Sequence, residues 1–383
     1  MAKQQKQDNL MIVAGEHSGD LLGGELMHEL NRHGRWNFYG VGGKNMAREG
    51  MESAEDIENM TVVGFSGILS KYSFLKSLLN RLVKEALARN IKTAVMIDYP
   101  GFNLRLAREL KKHGIKIVYY VSPQIWAWKF KRIFLIREIV DLMLLLLPFE
   151  KKIYDDYSVP NVYIGHPVFP RIPGQLKNEN RQKLKKSGNT KITLMPGSRT
   201  SEIRKLLDDL LAAAKIIDGQ LEGKADFFLP NISEKEEDFI LEKIASSGLS
   251  VHYCKNCSLD RIESSDLVLL SSGTATLEVA WFEKPMVIIY KVSPLTWFLG
   301  KLLVRTRFIG LVNIIAGKEV IKELLQHDCN PEAIAAEALR ILTDKKYRNS
   351  MVADIKKVKK SLSVKVPPYV AAAREIIRIV KSS

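Results

Sequence analysis

The sequence predicts an α/β protein built from two doubly wound parallel sheets, with helices closing the chain. Three observations predict it. Short apolar runs alternate with amphipathic segments of helical length. The alternation occurs twice, on either side of the polar stretch Pro173–Asn189. Several runs break into Gly, Ser, Pro and Thr, as strands do where they turn into helices.

The first series opens with the strand Leu10–Ala14, which leads into a helix over Gly19–His33. Trp36–Val41, Thr93–Ile97, Ile115–Val121 and Leu142–Leu147 are its further strands, with helices over about 102–113 and 148–157. The second series has strands at Lys191–Met195, Asp226–Leu229, Leu249–Tyr253, Leu267–Leu270 and Met286–Ile289. From Pro331 the pattern is helical to the end. The expected domains are residues 1–175, residues 176–355, and a basic terminal helix over 356–383 that packs back on the first domain. Ligands of such sheets bind at the carboxyl edges of the strands, so strand-end motifs of both halves are expected to face one cleft.

Length and composition narrow the function. A chain of 383 residues, 46% hydrophobic and 26% charged, has material for two cores and is ordinary for a globular protein. The net charge of +15 is unusual, and eleven Lys and Arg stand against three acids between Asp344 and Ser383. Such an excess suits nucleic acid, an anionic lipid surface or a phosphorylated substrate. No aromatic platform among basic residues and no nucleic-acid motif accompanies it, which counts against an RNA-binding protein. Three cysteines give no disulfide framework and point to a reducing compartment. Cys254 and Cys257 have redox or zinc spacing but lack further ligands, so the pair reads as incidental. Met1–Asn9 is polar without a leader pattern, and no run of 18 apolar residues occurs, so the expectation is a soluble or peripheral protein.

The strand-end motifs carry the chemistry. Leu267–Leu270 breaks at Ser271-Ser272-Gly273-Thr274 and restarts as a helix, which aims free amides at one point and suits a phosphate. Glu278 lies one helical turn on, placed to accept from a ribose diol. Pro196-Gly197-Ser198-Arg199 ends another strand and brings amides and an Arg fork, a second element directed at an anion. In the first half, Asp98-Tyr-Pro-Gly-Phe-Asn103 puts a carboxylate at a strand end, where it serves as a general base or as a turn-stabilising cap. Trp126 and Trp128 sit beside Lys129, Lys131 and Arg132, and either hold an apolar phosphorylated ligand or wedge a loop. Ile68, Leu69, Tyr72, Leu75, Leu78, Leu79, Leu82 and Val83 form one helical stripe beside basic residues, the pattern of a lipid-facing helix or of a core-facing one. The same ambiguity attaches to Leu295–Arg305, which holds Trp297, Phe298, Lys301 and Arg305.

From Ala14 to about Leu342 these segments resemble the lipid-A-disaccharide synthases, glycosyltransferases of the two-domain GT-B architecture. The resemblance rests on Ala14-Gly-Glu-x-Ser-Gly-Asp20, Asp98-x-Pro-x-Phe-Asn103, Val121-Ser-Pro-x-x-Trp-Ala-Trp128, Leu147-Pro-Phe-Glu150 and Ile164-Gly-His-Pro167. It continues with Pro196-Gly-Ser-Arg199, Ser272-Gly-Thr-Ala-Thr-Leu-Glu278, Asn313-x-x-Ala-Gly317 and Glu323-Leu-Leu-Gln326. Segments in this order are specific where any one alone is not.

The resemblance implies two Rossmann-like domains facing across a cleft and an inverting transfer. UDP-2,3-diacylglucosamine would give its sugar to the 6-hydroxyl of 2,3-diacylglucosamine 1-phosphate, forming the β-1′,6-linked disaccharide 1-phosphate and UDP. Asp98 is the expected base, Glu16 the alternative carboxylate, and Asn103 a support on the acceptor side. Gly197, Ser198, Arg199, Ser272, Gly273, Thr274, Glu278 and Asn313 are expected around UDP, with Arg199 also stabilising the departing diphosphate. Leu75, Leu78, Leu79, Trp126, Trp128, Lys301 and Arg305 are expected at the acceptor or at an anionic membrane, on the cytoplasmic face of the inner membrane. No Asp-x-Asp pair occurs, so neither a metal-bridged diphosphate nor any cofactor is expected. His17 stands where a small residue is expected, and Val312 where Pro is expected. The alternative within the architecture is a UDP-GlcNAc 2-epimerase-like enzyme, which needs no lipid acceptor.

Overall fold

The computed structural model describes residues 7–61, 68–175, 188–231 and 233–382. The chain forms two compact units, Met1–Pro167 with Val364–Ser383, and Val168–Ser363.

The first unit holds a parallel sheet of β1 (Asp8–Ala14), β2 (Trp36–Gly42), β3 (Met51–Asp56), β4 (Thr93–Ile97), β5 (Lys116–Tyr120), β6 (Leu142–Leu145) and β7 (Asn161–Tyr163). Their order is β3-β2-β1-β4-β5-β6-β7. Helices α1 (His17–Asn31), α2 (Lys44–Arg48), α3 (Ile57–Thr61), α4 (Ile68–Ala88), α5 (Pro100–Lys112), α6 (Arg132–Ile139) and α7 (Glu150–Asp156) complete this part. The strands read as continuous apolar runs because both faces are covered. Met11 and Val13 point into one core with Leu78, Leu82 and Leu106, while Leu10, Ile12 and Ala14 point into the other with Leu22 and Leu26. The strand order reverses between β1 and β4, and that switch point is the ligand edge of such a sheet.

The second unit begins with α8 (Val168–Gln175) and holds β8 (Thr190–Met195), β9 (Ala225–Asn231), β10 (Val251–Lys255), β11 (Leu267–Ser271), β12 (Met286–Tyr290) and β13 (Glu323–Leu325). These strands are parallel in the order β10-β9-β8-β11-β12-β13, with the reversal between β8 and β11. Its further helices are α9 (Thr200–Gln220), α10 (Glu237–Ser247), α11 (Ser258–Ser264), α12 (Ala275–Trp281), α13 (Pro294–Leu303), α14 (Leu311–Ala316), α15 (Pro331–Thr343) and α16 (Lys345–Leu362). The last helix, α17 (Pro368–Lys381), belongs to the first unit, where Ala372, Ala373 and Ile376 pack with Leu22, Leu26 and Leu30.

Particular packing contacts set the division between units. α8 stays with the second unit because Phe169 meets Trp281 edge-on at 5.0 Å, so the division falls at Pro167 rather than at 175. Val358 and Leu362 are buried, and α16 runs past 355 to Leu362 before the chain crosses back. Strands β3 and β13 were not legible as apolar runs; they are edge strands, held by backbone pairing.

The stripe on α4 faces protein. Leu78 and Leu82 are fully buried in the core, and Leu75, Leu79 and Val83 are half-buried against it. Leu78 therefore presents nothing to a lipid, and Leu75 and Leu79 present little. Tyr72 and Leu87 are the exposed large apolar side chains of this helix among the described residues; the side chains of Ile68 and Leu69 lie outside them. No described helix is long and apolar enough to cross a membrane.

Candidate active site

The switch point of the first sheet joins Glu16, after β1, to Asp98, after β4. Gly15 permits the approach: a Cβ there would stand 2.3 Å from the Tyr99 ring. Asp98 and Tyr99 both have φ near +47°, a conformation that costs a non-Gly residue energy and is held by its surroundings. The buried hydroxyl of Tyr119 donates to the Asp98 carbonyl at 2.7 Å. Asn103 Nδ2 donates to the same carbonyl at 2.8 Å, and to those of Ile97 and Val13. Asn103 is fully buried, so it reaches no acceptor; it ties the ends of β1 and β4 together and fixes Asp98. Burial, then the charge of Glu16, raises the Asp98 carboxyl above its ordinary value, partly offset by the Tyr99 amide. Glu16 itself is exposed. Asp20 of the same motif is structural, accepting from the amides of Gly43, Asn45 and Met46 at the start of α2.

The Trp loop divides into a packed and an open residue. Trp126 Nε1 donates to Glu150 Oε1 at 3.1 Å, and its ring meets Phe149 edge-on. Trp128 is partly exposed, with Lys129 Nζ 4.4 Å and Arg132 5.2 Å from its ring centre. Trp128 is the more exposed of the two.

In the second unit the ends of β8 and β11 open on a cavity of about 790 Å³. Gly197, Ser198, Arg199, Ser272, Gly273, Thr274 and Glu278, which the sequence analysis groups around UDP, all line it. The amides of Gly273 and Thr274 meet no acceptor among the described residues. The Glu278 carboxylate likewise has no partner there, and burial raises it above its ordinary range. Arg199 is largely exposed and pairs with Glu202. Ser271, first residue of the break after Leu270, lines it too, and residues not singled out from sequence complete the wall: Glu202, Asn256, Ser258 and Asp260. The Ser271 hydroxyl is buried without a hydrogen-bond partner.

Asn313 does not reach this cavity. It is fully buried, its Nδ2 donating to the Ile321 carbonyl and Glu323 Oε1, its Oδ1 accepting from the Val320 and Ile321 amides. All four capacities are filled by protein, which makes Asn313 a clamp on the turn before β13 rather than a UDP contact. Lys301 and Arg305 lie on the surface at α13 and just beyond it. Cys254 and Cys257, read from sequence as an incidental pair, are joined by a disulfide beside Asn256 and Ser258 of the cavity wall.

Two parallel α/β units, each with its ligand edge at a switch point, define the GT-B class. Solved structures share the fold across nearly the whole chain. UDP-GlcNAc 2-epimerase from Neisseria meningitidis bound to UDP-GlcNAc aligns with a TM-score of 0.61 at 9% identity, over 99% of this chain and all (100%) of that one. A glycosyltransferase from Rickettsia africae ESF-5 aligns with a TM-score of 0.57 at 14% identity, over 98% of each. Such identities speak for the fold alone. The sequence speaks for the family. The model of the family described as lipid-A-disaccharide synthetase matches residues 10–377. The lipid-A-disaccharide synthase of Persephonella marina is 41% identical over 92% of this chain and 94% of its own length. That of Syntrophus aciditrophicus is 36% identical over 97% and 98%. The chain belongs to the lipid-A-disaccharide synthase family and is a glycosyltransferase of lipid A biosynthesis. The epimerase alternative shares the fold and is not favoured.

Proposed function

We propose that the chain transfers the sugar of UDP-2,3-diacylglucosamine to the 6-hydroxyl of 2,3-diacylglucosamine 1-phosphate with inversion, working at the cytoplasmic face of the inner membrane. The acceptor oxygen attacks the anomeric carbon as Asp98 takes its proton. The bond from that carbon to the diphosphate breaks, and UDP leaves with the electron pair. Asp98 suits the task because burial and the charge of Glu16 raise its pKa, which strengthens it as a base. Asn103 and Tyr119 act through the Asp98 backbone.

On the donor side, Gly197, Ser198, Arg199, Ser272, Gly273 and Thr274 would hold the diphosphate, and Glu278 the ribose diol. Trp128 with Lys129 and Arg132 would meet the phosphorylated acceptor. The observation that carries this reading is the Glu16–Asp98 pair on a backbone built to hold it.

The test is UDP release from UDP-2,3-diacylglucosamine, with and without the diacyl acceptor phosphate, in wild type and Asp98→Ala. Acceptor-dependent release that collapses in the variant, with UDP affinity kept, is expected. Release without acceptor would sink the transferase reading, and an undiminished variant would move the base to Glu16.

A further inference from the structure

The loop that leaves β5 is held in a shape its residues do not favour by themselves. Val121 has φ of +72° and Lys129 φ of +53°. A β-branched residue at positive φ is strained and persists where its surroundings fix it. Turns fold the loop on itself, with the Ala127 and Trp128 amides donating to the Gln124 carbonyl. One face of α7 then fixes it to the unit. Glu150 and Tyr154 stand four residues apart on that helix, and both are buried. Glu150 Oε1 accepts from Trp126 Nε1 at 3.1 Å, and the Tyr154 and Ser122 hydroxyls meet at 2.7 Å. The loop is thus tied near its start and at its middle.

Glu150 does more than begin a helix. Its Oε2 accepts from the Leu147 amide at 3.1 Å, as an acid at a helix start commonly does. That leaves Oε1 for the loop, and a cap alone would need no indole N–H. The lysines that follow on α7 do not compete for the carboxylate, since Lys151 pairs with Asp155 and Lys152 with Asp156.

Beyond the tie the loop carries Trp128, Lys129 and Arg132. Neither cation makes an ion pair among the described residues, and both lie over the Trp128 ring. The base is near: the charges of Asp98 and Arg132 both act on the Tyr119 hydroxyl, which donates to the Asp98 carbonyl. Contacts of this kind depend on placement, and an error of about 1 Å can cost up to a hundredfold.

We infer that Glu150 is a positioning residue for the acceptor's phosphate: through Trp126 it sets the loop on which Trp128, Lys129 and Arg132 meet that group. The inference rests on the proposed reaction, in which the acceptor is a phosphate monoester.

The experiment is UDP release as a function of acceptor concentration at pH 8, for wild type, Glu150→Gln, Glu150→Ala and Trp126→Phe. The KM for the acceptor should rise about tenfold in Glu150→Ala, and less in Glu150→Gln, which keeps one of the two hydrogen bonds. Trp126→Phe should match Glu150→Gln. UDP affinity and kcat should stay near wild type in all three. Adding Glu150→Gln to Lys129→Ala/Arg132→Ala should raise KM no further, because both changes act at one contact. Effects that add, or a fall in kcat at constant KM, would make Glu150 structural only and overturn the inference. Limited trypsin digestion gives a readout without substrate. Cleavage after Lys129 and Lys131 should quicken several-fold in Glu150→Gln and Glu150→Ala, and nowhere else in the chain. Wild type that releases no UDP with acceptor present would count against the proposed reaction. Unchanged cleavage in both Glu150 variants would overturn the positioning role whatever the reaction.

Discussion

Arg199 donates through its guanidinium to Glu202 Oε1 at 3.0 Å, while the Ser198 amide donates to Oε2 of the same carboxylate at 3.2 Å. Glu202 is the third residue of α9, and its Oε2 also accepts from the Arg199 amide, so the carboxylate caps the start of the helix. Gly197, with φ of +120°, leaves room for it: a Cβ there would stand 2.4 Å from Glu202 Oε2. The turn proposed for the diphosphate thus already holds an anion belonging to the protein.

A competitor at that turn has a measurable effect. Glu202→Gln removes its charge and should tighten UDP binding a few-fold, while weakening the cap by about 1 kcal/mol. Arg199→Ala should weaken UDP binding by about tenfold to a hundredfold, the range for a charge-assisted contact. Calorimetric titration with UDP and thermal melts of both variants check this. Equal UDP affinity in wild type and Glu202→Gln would show that the carboxylate and the diphosphate do not compete.

The acid limb of the rate profile should report Asp98. The base works ionised, and burial with Glu16 raises its pKa, so kcat/KM should fall at a higher pH than an ordinary carboxylate gives. Glu16→Gln removes the second cause and should shift that limb toward acid. Asp98→Ala should cost about a hundredfold to ten-thousandfold in kcat, as loss of general base catalysis does. Asp98→Asn suits a residue at positive φ and lacks a charge to bury. Because the folded pKa lies above the unfolded one, the wild-type penalty is absent at low pH and complete above the folded pKa. Asp98→Asn should therefore melt higher than wild type at pH 8 and closer to it at pH 4. An acid limb that ignores Glu16→Gln would separate the two carboxylates.

The disulfide makes a further prediction. Cys254 and Cys257 bracket Lys255 and Asn256, and Asn256 has φ of +51° on the cavity wall. Closing so short a loop removes unfolded-state entropy worth about 2 kcal/mol. Cys254→Ser/Cys257→Ser should lower the melting temperature and weaken UDP binding a few-fold, and reduction of wild type should do the same. Identical UDP titrations of oxidised and reduced protein would sever the disulfide from the site.

The strand-end motifs were legible because apolar runs that break into small residues mark the carboxyl edge of a parallel sheet. Most polar residues lining the cavity at the ends of β8 and β11 belong to such breaks; Asn256 and Asp260 come from neighbouring turns, which no local pattern ties to β8 or β11. The roles of Asn103 and Asn313 were not legible. An amide can serve a ligand or a backbone, and only burial decides; here both side chains are fully enclosed. The two amphipathic stripes failed for a related reason. Helical periodicity locates an apolar face without saying what covers it, so α4 and α13 read alike in sequence although one faces core and the other solvent.

Glu150 gives the clearest dependence of stability on pH. Burial pushes its carboxyl from 4.5 up to about 7, against the hydrogen bonds it accepts from the Leu147 amide and Trp126 Nε1. The folded protein holds the proton more tightly than the unfolded chain. This group's penalty is therefore absent below about pH 4.5, grows as pH rises, and is complete above about pH 7. The shift corresponds to about 3 kcal/mol lost across that window. Glu150→Gln cannot ionise, but its amide nitrogen must face one of the two donors, at a cost of about 1 kcal/mol. Wild type should be the more stable at pH 5, and the gap should close or reverse at pH 8. Denaturant unfolding of both proteins at the two pH values measures it, and a gap that stays constant would mean that Glu150 does not change protonation across the window.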